Sequence, residues 1–349
     1  MSSKEEQIEQ FDPNGVGRQG SLFGLPFTPE TAEVVIIPVP WDVTVSYAAG
    51  TAGGPMGVLE ASPQIDYFLP DIAEAWKIGI AMEDISTSWA ERGAMLRDKV
   101  EPYIEALEAG ADTAELAKEH AAMLNEVELA SEQLRDWLAH QSGKYLDAGK
   151  VVGVLGGDHS TPLGLMSALA VRHQEFGILQ IDAHADLREA YEGFRYSHAS
   201  IMTNALELPQ VQRLVQVGVR DYCEAEHGKV VNSGGRIVSF HDQALKEEQF
   251  AGATWHDQCA RIIEALPDKV YVSFDIDGLD PKLCPHTGTP VAGGFELEEA
   301  LYLIKQVVKS GRKIIGFDLC EVGPGQDEWD GNVGARALYR LACWAGSPS

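Results

Sequence analysis

The chain has 349 residues, enough to bury one large core or two modest ones, and an ordinary hydrophobic content of 45%. No apolar run approaches the ~18 residues of a membrane span. A formal charge of −26 argues against nucleic acid or an anionic membrane as partner, and its negative field favours a small cationic substrate.

The start, Met1 to Gln7, lacks the basic and apolar regions of an export signal. The five cysteines, odd in number and without a CxxC pair, therefore read as free thiols of a cytoplasmic protein. Residues 1–33 are polar and punctuated by Gly and Pro, which predicts an N-terminal arm, disordered or draped over a neighbour, ahead of one domain over 34–349. Val34 to Val39 is the first predicted strand. A Gly-rich loop from Trp41 to Gly54 then leads to Pro55 in the first turn of a helix. Lys77 to Met82 reads as a second strand, and residues 83–112 show no legible period. From Thr113 to Leu146, Leu116, Met123, Val127, Leu134 and Leu138 fall at helical spacing.

After Lys150 the rhythm is regular. Strand-like runs at 151–155, 176–181, 213–219, 236–240, 270–276 and 313–319 alternate with helix-like stretches at 160–174, 198–208, 221–231, 253–266, 295–309 and 332–344. Alternation of this kind predicts an α/β fold, a parallel sheet with helices on both faces.

Three clusters of candidate metal ligands stand at the ends of predicted strands. They are Asp158-His159 after 151–155, Asp182-Ala-His184-Ala-Asp186 after 176–181, and Asp275-Ile-Asp277 closing 270–276. The alternation in 182–186 converges on one point only if the backbone bends there. A single Asp at such a junction is more often a helix cap. Several carboxylates gathered from three junctions would repel one another without a cation. Carboxylates with two imidazoles make an oxygen-rich set that fits two Mn²⁺ or Ni²⁺ ions, and a water shared by two such ions loses a proton near neutral pH.

Ser160 reads as a helix N-cap rather than a nucleophile. His198 is a candidate acid/base group. Glu296, Glu298 and Glu299 are three carboxylates after the turn-rich Thr287-Gly-Thr-Pro290, and position alone does not choose among them. Trp41, Tyr47, Phe194 and Tyr196 lie in loops expected to rim a pocket. Cys284 and Cys320 read as packing residues beneath it.

Gly156-Gly-Asp-His-Ser, Asp182-Ala-His-Ala-Asp, Ser273-Phe-Asp-Ile-Asp-Gly-Leu-Asp-Pro and Thr287-Gly-Thr-Pro together resemble the signatures of the ureohydrolase (arginase/agmatinase) superfamily. The resemblance implies a three-layer α/β/α fold around an eight-stranded parallel sheet. It implies one ion held by His159, Asp182, Asp186 and Asp275, and a second by Asp182, His184, Asp275 and Asp277. His198 would shuttle protons, Asp277 would orient the nucleophile, and Glu299 would bind the guanidinium of a small cationic guanidino substrate. No arginine clamp is recognisable in Glu192 to Ile201, and the 41–47 and 328–339 segments resemble an agmatinase-like branch that includes hydrolases of guanidine and of N-substituted guanidines. The same resemblance implies a trimer or hexamer, with or without a paralogous subunit. It also leaves a formimino substrate or a silent partner subunit as alternatives.

Overall fold

The computed structural model describes residues 3–347. Eight strands form one all-parallel sheet: β1 Val34–Val39, β2 Ile80–Met82, β3 Val151–Gly156, β4 Phe176–Ile181, β5 Val211–Val217, β6 Ile237–Phe240, β7 Lys269–Asp275 and β8 Lys313–Cys320. All eight lie where the sequence predicts them. Their order is β2-β1-β3-β8-β7-β4-β5-β6. β1 and β4 are buried along their whole length, as expected of parallel strands covered on both faces. Two apolar cores result, one on each face of the sheet.

The connections supply the covering helices: α1 Lys4–Gln10, α2 Gly54–Ala61, α3 Thr87–Glu108, α4 Thr113–Glu119, α5 Ala121–Asp147, α6 Leu163–Arg172, α7 Ile201–Leu206, α8 Glu224–Asn232, α9 Asp242–Phe250, α10 Trp255–Glu264, α11 Leu297–Lys309 and α12 Trp329–Gly346. The illegible 83–112 stretch is largely α3. Its Gly93, Leu96, Val100, Tyr103 and Ile104 are buried at three- and four-residue intervals, a stripe masked in sequence by Pro102 and by the acidic residues between.

The segment before β1, expected to be disordered or draped over a neighbour, packs in this structure on the domain that follows it. Phe23 is fully buried on its own chain, with its ring edge-on to Tyr339 at 5.1 Å. Its backbone is also satisfied: Ser62 Oγ accepts from its N–H at 2.8 Å, and Tyr67 Oη donates to its carbonyl at 2.8 Å. Leu22, Leu25 and Phe27 are buried beside it. Four apolar residues scattered among Gly, Pro and Ser carry no period, so their burial depends on the groove they meet.

The strand order decides which strand ends meet. The chain runs outward from β3 to β4, β5 and β6, then returns to insert β7 and β8 between β3 and β4. This brings the carboxyl ends of β3, β8, β7 and β4 side by side, the position where open α/β sheets place their ligands.

Candidate metal centre

Each of these four strand ends delivers polar side chains to one point. After β3, the chain passes so close to the β1 loop that a Cβ on Gly157 would fall 2.1 Å from the Trp41 carbonyl oxygen. That contact requires glycine, and it aims the next two residues, Asp158 and His159, over the sheet. After β4, the bend expected within 182–186 is present, with Asp186 in the left-handed region at φ 53°. A non-glycine residue held there costs free energy and tends to mark a functional site.

His159 Nδ1 lies 3.1 Å from Asp182 Oδ2, 3.0 Å from Asp186 Oδ2 and 3.2 Å from Asp275 Oδ2. His184 Nδ1 lies 3.0 Å from Asp277 Oδ2 and 3.7 Å from Asp182 Oδ1. Two ligand groups result, His159-Asp182-Asp186 and Asp182-His184-Asp277, with Asp182 common to both. The structure thus brings together all six residues that the sequence singles out as ligands.

The electrostatics of this cluster call for added positive charge. Burial and the neighbouring Asp182 push Asp186 up to about 7. Burial opposes a charged His184, yet the Asp277 and Asp182 carboxylates lift it to about 12. His159 Nδ1 and Asp277 Oδ2 are buried and have no hydrogen-bond partner. Buried polar atoms without partners are costly. Nitrogen and oxygen donors converging from four directions are the set that a divalent first-row cation accepts, so the residues fit two such ions.

His198 opens a short 3₁₀ turn before α7 and borders a cavity of about 410 Å³ together with His184, Asp186, Tyr47, Tyr191 and Tyr222. Burial, then the adjacent His184 and His159, push its imidazole down to about 3. Of the four aromatics expected at the rim, only Tyr47 lines this cavity. Trp41 and Phe194 are core residues, and Tyr196 lies against Arg135 and Arg195. Ser160 is no helix cap, since its N–H and hydroxyl both bond Asp158 Oδ1.

Glu299 is not at the site. It is the third residue of α11, where its Oε2 accepts the Glu296 N–H at 2.9 Å in a capping box, and Lys246 approaches to 3.8 Å. Helix N-termini favour such a carboxylate, so a local role accounts for it fully. The carboxylate that does reach the centre is Glu321, immediately after β8. It is buried at φ 63°, its Oε1 accepts the His159 N–H at 2.9 Å, and its Oε2 has no partner. A methyl on Gly288 would sit 3.2 Å from that free oxygen, one residue from Thr289 in the cavity wall. Burial and Asp158 raise Glu321 well above the usual carboxylate range. Its signal in the sequence was a lone Glu at the end of a strand-like run.

Arg220 is a second residue the sequence did not point to. Its guanidinium donates to the carbonyls of Asp277, Leu279 and Val291 at 2.6, 3.1 and 3.0 Å. It thereby ties the loop after β7 to the turn around Thr289. Cys284 and Cys320 are buried free thiols, packed as expected.

A family model described as the arginase family matches residues 32–344. The chain is 31% identical over 295 residues to an N(1)-aminopropylagmatine ureohydrolase of Thermus thermophilus, covering 84% of each chain. It is 33% identical over 201 residues to a guanidinobutyrase of Pseudomonas aeruginosa, covering 54% of this chain and 59% of that one. Among solved structures, an agmatine ureohydrolase of Thermoplasma volcanium superposes with a TM-score of 0.69 at 20% identity, covering 98% of this chain and 97% of the other.

Proposed function

The chain belongs to the arginase family, and from that premise we propose that it hydrolyses the C–N bond of a small guanidino compound, releasing urea or a substituted urea with an amine or ammonia. The observation that carries this reading is the joining of a two-imidazole, four-carboxylate cluster to a further buried carboxylate, Glu321, one of whose oxygens has no partner. A silent subunit has no need of such a complete set.

In the proposed arrangement His159, Asp182, Asp186 and Asp275 would hold one ion, and Asp182, His184, Asp275 and Asp277 would hold the other. Bound there, two Mn²⁺ or Ni²⁺ ions would supply a hydroxide nucleophile at neutral pH and a Lewis acid beside the carbon under attack. Glu321 Oε2 pairs with the guanidinium N–H groups and orients that carbon, since charge-assisted hydrogen bonds are both strong and directional. Asp277, whose Oδ2 is buried without a hydrogen-bond partner, would orient the attacking oxygen. His198 has Nδ1 3.4 Å from Ser197 Oγ, which leaves Nε2 to carry a proton to the departing nitrogen. Replacing His198 by Asn should keep both ions but lower kcat by ~10²–10⁴-fold. Metal content and steady-state turnover of the variant check this, and loss of an ion would make His198 a ligand instead.

Urea release from guanidine, agmatine, arginine, guanidinobutyrate and N-methylated guanidines, on protein loaded with Mn²⁺ or Ni²⁺, tests the reaction. A small guanidine should show a higher kcat/KM than arginine. No urea from any of them, with two ions bound per chain, would sink the proposal. A second reading, an ω-guanidino acid, is favoured by Arg188 at the cavity wall. Its guanidinium lies over the Tyr191 ring at 5.0 Å, and its nearest carboxylate contact is 3.9 Å, to Glu226. Glu226 is already occupied by the Leu187 and Cys223 N–H groups, so Arg188 is available to a substrate carboxylate.

A cytoplasmic location and assembly into three or six copies complete the proposal. The five unpaired cysteines support the first, and light scattering on the loaded protein tests the second. No helix among the described residues is long and apolar enough to cross a membrane.

A further inference from the structure

Beneath the ligands, one row of the sheet is polar. Gln216 of β5 is in register with Gln180 of β4, Gln180 with Ser273 of β7, and Ser273 with Asp318 of β8. All four are completely buried, in strands whose other interior residues are mostly apolar. Four polar side chains across the middle of a sheet are expensive unless they satisfy one another or something above them.

Their hydrogen bonds run in a forced direction. Gln216 contacts the Ala185 carbonyl at 2.7 Å, which can only accept, so the contacting atom is its amide nitrogen. The same nitrogen donates to Gln180 Oε1 at 2.7 Å. The Gln180 amide nitrogen is then committed to Asp182 Oδ2, also at 2.7 Å. On the other arm, the Phe274 N–H and Cys320 Sγ both point at Asp318 Oδ1. Oδ1 is therefore an acceptor, and the Ser273 hydroxyl donates to it at 3.2 Å. That leaves a lone pair of Ser273 Oγ facing His159 Nε2 at 2.8 Å, so Nε2 carries the ring proton. Nδ1 is left bare, turned toward Asp182, Asp186 and Asp275.

We propose that this in-register rung is a built-in positioning device: Asp318 and Ser273 set the tautomer and orientation of His159 for one ion, while Gln216 and Gln180 orient Asp182, which serves both. The inference rests on the proposed two-ion centre. Partners behind a ligand commonly change metal affinity by 10–100-fold when removed. None of the four residues touches the cavity, so they are positioning residues and not catalytic ones.

The test is chelator competition on the full-length, metal-loaded enzyme, which reads an affinity for each ion. In Ser273→Ala and Asp318→Asn, one ion should bind about 10–100-fold more weakly while the other keeps its affinity. In Gln180→Met, both should weaken, because Asp182 is common to both groups. Should Gln180→Met fail to fold, Gln216→Met removes the same orientation one step further back. Melting of the metal-free proteins, set beside these affinities, separates positioning from packing. Melting points that fall while both affinities hold would overturn the inference, as would equal weakening of both ions in Ser273→Ala. Wild-type protein that holds no pair of ions would instead overturn the two-ion reading itself.

Discussion

Asp182→Ala protein should purify without either metal ion and without urea-releasing activity, while Asp186→Ala should retain one ion. The asymmetry follows from geometry. Asp182 turns one oxygen to each imidazole, 3.1 Å from His159 and 3.7 Å from His184, and so belongs to both ligand groups. Asp186 approaches His159 and belongs to one group only. The loss should also register in stability. An ion present at 1,000 times its dissociation constant stabilises the folded state by about 4 kcal/mol. Wild type should therefore melt at a temperature that rises with added Mn²⁺, and Asp182→Ala should not respond. Elemental analysis and melting curves at several metal concentrations check both statements. Two ions retained in Asp182→Ala would remove it from the shared position.

Glu321→Gln should bind both ions normally and lose kcat/KM by roughly 10²–10³-fold. The substitution keeps shape and length but removes the charge that is to pair with a guanidinium. Breaking one side of a buried charge pair costs about 2–5 kcal/mol, and each 1.4 kcal/mol is tenfold. Oε1 accepts the His159 N–H, and an amide oxygen preserves that contact, so the ligand beside it stays in place. Glu299→Gln is the matched control. Its carboxylate caps α11, so the change should cost at most about 1 kcal/mol of stability and leave the kinetics alone. Steady-state rates at fixed metal content decide between the two residues. A large loss in Glu299→Gln with none in Glu321→Gln would restore the assignment drawn from the sequence.

The pair also shows how far the sequence reaches. The ligand motifs and eight strands were legible because their signals are local. Spacing within Asp182-Ala-His-Ala-Asp, or within Asp275-Ile-Asp, is governed by a few backbone torsions at one strand end, and continuous apolar runs mark buried parallel strands. Residue type alone then indicates metal chemistry. α3 is hidden in the sequence because polar residues between its buried positions mask the period, and α9 buries only Asp242 and Leu245 and so has no apolar period to read.

What the sequence could not decide is which strand ends become neighbours. Glu321 comes 162 residues after His159, yet its Oε1 accepts that residue's backbone N–H because β8 lies next to β3. Glu299 is a strong candidate by composition and is removed from the site by the direction in which α11 leaves its turn. Gln216, Gln180, Ser273 and Asp318 each look like an isolated polar residue in an apolar run. Only the register of four non-consecutive strands aligns them under the ligands. The burial of Phe23 and its neighbours has the same origin, since a scattered apolar segment packs where the finished fold leaves a groove. The chain itself therefore specifies its candidate ligands and its strands, whereas the placing of Glu321 and of the polar row beneath the ligands comes from pairings distant in sequence, which the strand order alone creates.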